Sequence, residues 1–155
     1  MTSEKFATLI LSVSRRITGK PLDKQLEAEL NEAFPPEGEV FQGVFGACRE
    51  AIAAGWMCNR EAGGIKYGRV IKPGAEAHRF SVDVVDMDSV KGPHHRHPNG
   101  EIDMIMPLTQ GAKFDGHGAG WLVYGPDSAH SPTVTEGRAL VLYLLPEGAI
   151  EFTKS

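Results

Sequence analysis

The chain has 155 residues, which corresponds to one domain or to one domain with a helical extension. Hydrophobic residues make up 41% of the sequence, enough for a core, and the 18 glycines and 10 prolines are typical of a fold with many tight turns. The net charge of −4, without a cluster of Lys and Arg, argues against nucleic acid as a partner.

Other short features disfavour several further classes of protein. No run approaches the roughly 18 apolar residues of a membrane span, so we expect no membrane partner. The N-terminus lacks a long apolar region with a small-residue cleavage site, so we expect a cytoplasmic protein. The two cysteines, Cys48 and Cys58, lie outside any CxxC pattern, and we expect mostly buried thiols rather than a disulfide framework or a zinc knuckle.

The first 56 residues are predicted to form a helical segment. Apolar residues recur there at helical spacing in three stretches. Each stretch ends at residues that stop helices, namely Gly19, Pro35-Pro36 and Gly55. Ser3 is the predicted cap of the first helix, and Pro21 is predicted to begin the second. We expect these helices to pack outside a sheet or to form a subunit interface, and they carry no catalytic cluster.

From residue 57 to residue 155 the pattern changes to short runs rich in Val, Ile, Phe and Tyr, divided by Gly, Pro, Asn and Asp. The predicted strands are Ile65–Ile71, Phe80–Val84, Ile102–Pro107, Ala112–Phe114, Gly120–Tyr124, Ser131–Val134 and Ala139–Leu145. Many short strands at regular spacing indicate a sandwich or a closed barrel. The sequence therefore predicts a mainly-β protein with an N-terminal helical segment.

The most informative motif combines two histidines with a carboxylate. His95 and His97 are separated by one residue, so on a strand both imidazoles point to the same face. Pro98-Asn99-Gly100 is typical of a turn, which brings Glu101 to the start of the next strand, close to both histidines. His130 follows after another pair of strands. Three imidazoles and one carboxylate suit a divalent metal such as Fe, Mn, Ni or Zn.

Three neighbours of this motif have more than one interpretation. Asp103 shares a strand face with Glu101, so it either orients a histidine ligand, acts as an acid in the pocket, or faces solvent after a register shift. His117 lies in the glycine-rich run 116–120, which favours a tight turn but leaves a pocket-facing role open. His94 precedes His95 and is expected to point the other way. We retain Asp103 and His117 as candidate catalytic residues.

Substrate contacts are predicted from aromatic and cationic side chains. Trp121 and Tyr124 lie on opposite faces of one predicted strand, so one of them should line the barrel, where an aromatic wall suits an aromatic substrate. An arginine offers a two-pronged donor for a substrate carboxylate. The candidate cations are Arg60, Lys66, Arg69 and Arg96. We assign substrate binding to Arg60, which begins the strand region, and also to Arg96 and Tyr124.

These motifs resemble those of the cupins. The H-x-H-x-x-x-E pattern of residues 95–101 matches the first cupin motif, and Gly120–Pro126 with the later His130 resembles the second. The segment Pro126–His130 is one residue shorter than usual, and Val134 stands where an asparagine is common. The resemblance covers roughly residues 60–155 and implies a cupin-type antiparallel β-barrel, or jelly roll, with His95, His97 and Glu101 as metal ligands and His130 as the fourth.

Three longer stretches resemble a narrower family, the bacterial 4-hydroxylaminobenzoate lyases: Gly55–Arg60, Gly92–Pro107 and Gly116–His130. This resemblance implies that 4-hydroxylaminobenzoate is converted to 3,4-dihydroxybenzoate with release of ammonia, in the degradation of nitroaromatic acids. It implies one divalent metal per chain, with Fe or Mn favoured and Zn or Ni possible. Our hypothesis is that His117 or Asp103 protonates the departing oxygen. A homodimer or a higher homo-oligomer is expected, because cupins commonly pair.

Two other classes of function are compatible with the same motifs. One is a cupin dioxygenase that opens an aromatic ring with Fe(II), and it would require dioxygen. The other is a small-molecule-binding cupin without turnover. The sequence carries no motif for a flavin or a nicotinamide, which agrees with the redox-neutral balance of the lyase reaction.

Overall fold

Three helices open the chain. The computed structural model describes residues 3–74 and 77–153. The helices are α1 (Ser3–Ile17), α2 (Lys24–Ala33) and α3 (Glu39–Ala54). The predicted stop at Gly55 is confirmed, because this residue ends α3 in the left-handed conformation with φ +88°. The prediction that α2 begins at Pro21 is wrong: the carboxylate of Asp23 accepts a hydrogen bond from Leu26 N and caps a helix that starts at Lys24. The cap predicted at Ser3 lies outside the described side chains.

The remainder is mainly antiparallel sheet. Its strands are β1 (Arg60–Ala62), β2 (Ile65–Ile71), β3 (Phe80–Lys91), β4 (His95–His97), β5 (Glu101–Pro107), β6 (Lys113–Phe114), β7 (Gly120–Tyr124), β8 (Ser128–His130), β9 (Thr133–Pro146) and β10 (Glu151–Phe152). The larger sheet has the order β1-β2-β3-β9-β5-β7, with β6 paired to β9, and the smaller has the order β10-β4-β8. The predicted mainly-β class with N-terminal helices is confirmed.

Strand boundaries differ from prediction where the backbone passes through an irregularity. Residues 133–134 of the strand predicted at 131–134 and the whole strand predicted at 139–145 belong to the single strand β9. Glu136 and Gly137 interrupt the regular backbone of β9, with φ values of +64° and +131°. The strand nevertheless pairs with β3 both before and after this irregularity. The three-residue strand β1 is fully exposed and carries no apolar alternation, so the sequence gives no signal for it.

The inner strands of the larger sheet, β3, β9, β5 and β7, are largely buried on both faces, which explains their long apolar runs. Strand β5 has six successive buried residues. Met104 belongs to the cluster shared with the helices, whereas the next residue, Ile105, belongs to the cluster between the two sheets. The same alternation turns Glu101 and Asp103 inward between the sheets.

Helix α2 covers the outer edge of β7. Asn31 donates to the carbonyl of Trp121 and accepts from its backbone N–H, while the carboxylate of Glu27 accepts from Val123 N. These bonds satisfy strand groups that would otherwise stay unpaired at a sheet edge. The helical segment thereby holds in place the strand that carries Tyr124. In the part of the chain that the structure describes, no helix is long and apolar enough to cross a membrane.

Candidate active site

A tight turn brings the first three candidate ligands together. His95 and His97 both point inward from β4, and both are buried. Gly100 ends the turn with φ +90°, and a Cβ there would lie 2.8 Å from the carbonyl oxygen of Tyr124, so this position requires glycine. Glu101 then begins β5, as predicted, and is also fully buried.

The fourth candidate comes from β8. His130 lies directly opposite His95 in the pairing of β4 with β8, and their Nε2 atoms are 3.2 Å apart. Glu101 lies between the three imidazoles: Oε1 is 3.0 Å from His97 Nε2 and 3.4 Å from His95 Nε2, while Oε2 is 3.4 Å from His130 Nε2. One ligand atom from each residue lies within 4.8 Å of the others, so the four could hold a metal ion.

Two observations show that these residues fit a divalent metal. His97 Nε2 and both oxygens of Glu101 are enclosed without a hydrogen-bond partner in the described part of the chain, an arrangement that is costly unless a cation binds there. Donor atoms bound at about 2.1 Å to one ion lie about 3.0–3.4 Å apart in octahedral or tetrahedral geometry. The separations between the imidazole nitrogens and the glutamate oxygens match this spacing.

A hydrogen-bond chain orients His97. The hydroxyl of Ser128 donates to the carbonyl oxygen of Gly125 at 2.6 Å, so it accepts from His97 Nδ1 at 2.9 Å. The Nδ1 atom therefore carries the proton, and Nε2 presents its lone pair toward Glu101. This is the tautomer that a metal ligand needs.

Asp115 orients His130 and was not found by sequence reasoning. Its Oδ2 accepts from His130 Nδ1 at 2.5 Å and from the hydroxyl of Tyr124 at 2.6 Å, and its Oδ1 accepts from Thr133 N at 2.9 Å. Asp115 has φ +49° in the turn before Gly116, so the sequence signal there is that of a turn. Only the return of the chain through β8 brings His130 against this carboxylate.

The electrostatics of the cluster favour a cation. Burial alone would raise the pKa of Glu101, but the adjacent imidazoles of His130, His95 and His97 lower it well below its ordinary value. Burial also opposes the charged form of His130, yet Asp115 and Glu101 together raise its pKa to about 9. Asp103 behaves differently, because burial and the neighbouring charge of Glu101 raise its pKa well above its ordinary value.

A cavity of about 700 Å³ reaches the cluster at His95. Its volume falls in the range of small-molecule sites. Tyr143 lies beside His95 in the wall of this cavity, and the cations that line it are Arg60, Arg69 and Lys72. Its apolar lining includes Trp56, Ile65, Val85, Met87, Ile150 and Phe152.

The predicted arginines occupy different environments. Arg60 is exposed, lines the cavity and has no ion-pair partner among the described residues. Arg96 points away from His95 and pairs with Asp127 and Glu151. Arg69 lines the cavity, but its guanidinium is bound to Asp83 at 2.9 Å. Lys66 is not among the described residues that line the cavity.

The remaining candidates divide into those near the four candidate ligands and those farther away. Tyr124 lies next to these ligands, with its ring centroid 4.5 Å from that of His130, whereas Trp121 packs against the helices. Asp103 is fully buried beside Glu101, and neither of its oxygens has a partner among the described residues. His117 is exposed in the turn that pairs it with Phe114.

Comparisons with known proteins identify the family of this chain. A family model described as PnbB, 4-hydroxylaminobenzoate lyase, matches residues 8–152. Relatives named 4-hydroxylaminobenzoate lyase from Nocardioides sp. (strain LMS-CY) and Pseudomonas putida are 37% and 32% identical; the matches cover 83% and 93% of this chain and 82% and 92% of theirs. A solved RmlC-like cupin protein from Ralstonia eutropha JMP134 is similar in fold, with a TM-score of 0.47, 10% identity, and coverage of 61% of this chain and 62% of that chain. The chain belongs to the 4-hydroxylaminobenzoate lyase family and is an enzyme of that family.

Proposed function

We propose that this enzyme converts 4-hydroxylaminobenzoate to 3,4-dihydroxybenzoate and ammonia, with one divalent metal held by His95, His97, Glu101 and His130. The observation that carries the proposal is the convergence of these four side chains beside a cavity of about 700 Å³, which His95 lines. Arg60, which has no ion-pair partner among the described residues, lines the same cavity. The reaction consumes one water and needs no external oxidant or reductant. Fe or Mn is favoured, and Zn or Ni also suits the ligand set.

The chemistry of the cluster suits cleavage of an N–O bond. A divalent metal supplies a positive charge that polarises an oxygen atom bound to it. The chain keeps its ligands ready for that role, because Ser128 and Asp115 fix the protons of His97 and His130 on Nδ1. Water then adds to the ring carbon next to the one that bears nitrogen, and hydrolysis of the resulting imine releases ammonia.

The cavity can orient the substrate by its two different ends. Arg60 at the rim has no competing carboxylate among the described residues and can bind the benzoate carboxylate with two parallel hydrogen bonds. Apolar side chains such as Val85 and Met87 line the space between the rim and His95, where an aromatic ring can pack. In this orientation the hydroxylamino group lies at the metal end. Arg96, held in two ion pairs, has no such freedom.

Proton delivery is assigned to Asp103 on its position. It lies next to Glu101 on the inner face of β5, opposite Tyr143, and it is shielded from solvent. His117 could reach the reacting group only if the turn that carries it moved inward from its exposed position. We therefore prefer Asp103 over His117 as the acid.

The experiment that tests this function measures metal content and ammonia release together, under anaerobic conditions. We expect about one divalent metal per chain and ammonia from 4-hydroxylaminobenzoate without dioxygen. His97→Ala should lose both metal and turnover, while His94→Ala is the matched control, because His94 bonds to Thr153 outside the cluster. Ammonia release without bound metal would refute the metal-dependent lyase. Metal without ammonia, but with turnover of a dihydroxylated ring in air, would favour a dioxygenase.

A further inference from the structure

A row of polar side chains crosses the larger sheet between the cavity and the metal cluster. Arg69 lies opposite Asp83, Asp83 opposite Tyr143, and Tyr143 opposite Asp103, on four neighbouring strands. Residues directly opposite one another share a face of the sheet, so all four side chains point into the space between the sheets. Three of them line the cavity, and Asp103 lies behind Tyr143, next to Glu101.

Tyr143 is the member of this row that lines the cavity and has no hydrogen-bond partner among the described residues. It is 6% exposed, and the surface it keeps belongs to the cavity that it lines. Its ring lies against His95, with centroids 6.5 Å apart, and against Phe114 at 6.2 Å. No hydrogen bond to its hydroxyl is formed within residues 3–74 and 77–153. A buried phenol usually has a partner, so an unpaired one facing a cavity indicates a ligand.

The surroundings of this hydroxyl determine which group it can receive. A phenol hydroxyl carries a proton at neutral pH, so that of Tyr143 can donate one hydrogen bond to a group in the cavity. The nearest cation of the row, Arg69, is already bound to Asp83. The row therefore offers this end of the cavity a phenol donor, but no free cation that could bind a substrate carboxylate.

We propose that Tyr143 is a substrate-contacting residue whose hydroxyl donates a hydrogen bond to the hydroxylamino group and so places that group at His95. The inference rests on the proposed function for the identity of the substrate. It adds a contact at the inner end of the cavity. Arg60 at the rim can bind the carboxylate, and Tyr143 receives the opposite end of the substrate.

The contact can be measured with two unreactive ligands that differ by one hydroxyl, 4-(hydroxymethyl)benzoate and 4-methylbenzoate. Calorimetric titration of the wild-type protein should show the hydroxymethyl compound binding about three- to tenfold more tightly, the range expected for one net hydrogen bond. In Tyr143→Phe that preference should fall to about twofold or less, because the hydroxyl loses its donor. Metal content is measured for each variant and should not change.

Tyr124→Phe is the matched comparison, since it also removes one phenol hydroxyl near the cluster. Its hydroxyl donates to Asp115, so this variant tests the competing donor: a preference lost in Tyr124→Phe and kept in Tyr143→Phe would assign the contact to Tyr124 and overturn the inference. Removal of the Tyr143 hydroxyl should leave the melting temperature unchanged or raise it, because no protein bond within the described residues is lost. A clear fall in the melting temperature of Tyr143→Phe would show a structural role and would overturn the inference.

The outcomes separate this inference from the proposed function. Ammonia release by the wild type with an undiminished preference in Tyr143→Phe leaves the lyase in place and refutes the contact. The same conclusion follows if the wild type binds both ligands equally. Loss of the preference in Tyr143→Phe, without ammonia release by the wild type, supports the contact and refutes the reaction.

Discussion

Replacement of Asp115 by asparagine should weaken metal binding although Asp115 is not a ligand. The carboxylate accepts three hydrogen bonds, from His130 Nδ1, Tyr124 Oη and Thr133 N. An asparagine can place its oxygen toward only one side. If the amide nitrogen faces Thr133, it meets the backbone N–H of that residue, and two hydrogen-bond donors face each other. If it faces His130, it donates to Nδ1 and stabilises the tautomer with the proton on Nε2, where the metal should bind.

The expected loss of metal affinity can be taken from carboxylates that orient histidine ligands in other metal sites. Loss of a carboxylate that orients a histidine ligand typically reduces metal affinity by about 10- to 100-fold, or about 1.4–2.7 kcal/mol. Asp115→Asn is expected in this range, because the hydrogen bond from His130 to Asp115 is short and only partly exposed to solvent. The protein should still fold, since the side chain keeps its volume and the core does not change.

The assay is an equilibrium competition for Zn²⁺ between the protein and a chromogenic chelator at neutral pH. Asp127→Asn is the matched control, because this exposed carboxylate pairs with Arg96 outside the cluster. We expect a raised Kd for Asp115→Asn and an unchanged Kd for Asp127→Asn. A Kd for Asp115→Asn within about twofold of the wild type, with an unaltered circular dichroism spectrum, would refute the role of Asp115 in orienting His130.

Three other predictions concern the cavity rim, the thiols and the helical core. Arg60→Gln should raise KM for 4-hydroxylaminobenzoate about tenfold with little change in kcat. Arg15→Gln, on the exposed face of α1, should change neither. Equal KM values for Arg60→Gln and the wild type would show that Arg60 does not bind the substrate. Burial raises the pKa of Cys58 to about 12 and that of Cys48 still further, so neither thiol should react with a disulfide reagent at pH 8 until denaturant is added. Rapid labelling of the native protein would contradict that burial. Leu30→Ala in α2 should lower the free energy of unfolding by about 2–5 kcal/mol in urea titrations, because Leu30 is 0% exposed; a loss below about 1 kcal/mol would mean that the helices do not share the sheet's core.

The sequence predicted much of the fold and named the four residues that the structure brings together as a possible metal site. Alternation along a strand places His95 and His97 on one face, and the Pro98-Asn99-Gly100 turn returns the chain so that Glu101 meets them. These effects act over a few residues through backbone sterics and side-chain direction. The same local patterns predicted the end of α3 at Gly55 and the limits of β2 without error.

Other features depend on which distant segments pair, and the sequence pattern does not carry that information. Tyr143 lies in an apolar run and has the pattern of a core residue, until the register of β9 with β3 and β5 places it between Asp83 and Asp103. Arg60 and Arg96 are equivalent as residue types, but only the tertiary structure pairs Arg96 with Asp127 and Glu151 and leaves Arg60 at the cavity.

Asp115 shows the same division most clearly. The local sequence establishes a turn at this residue, and only the antiparallel return of β8 makes its carboxylate the partner of His130. Short-range sterics therefore determined which residues face inward, whereas strand register between remote segments decided which inward-facing charges are paired and which remain free to bind a ligand.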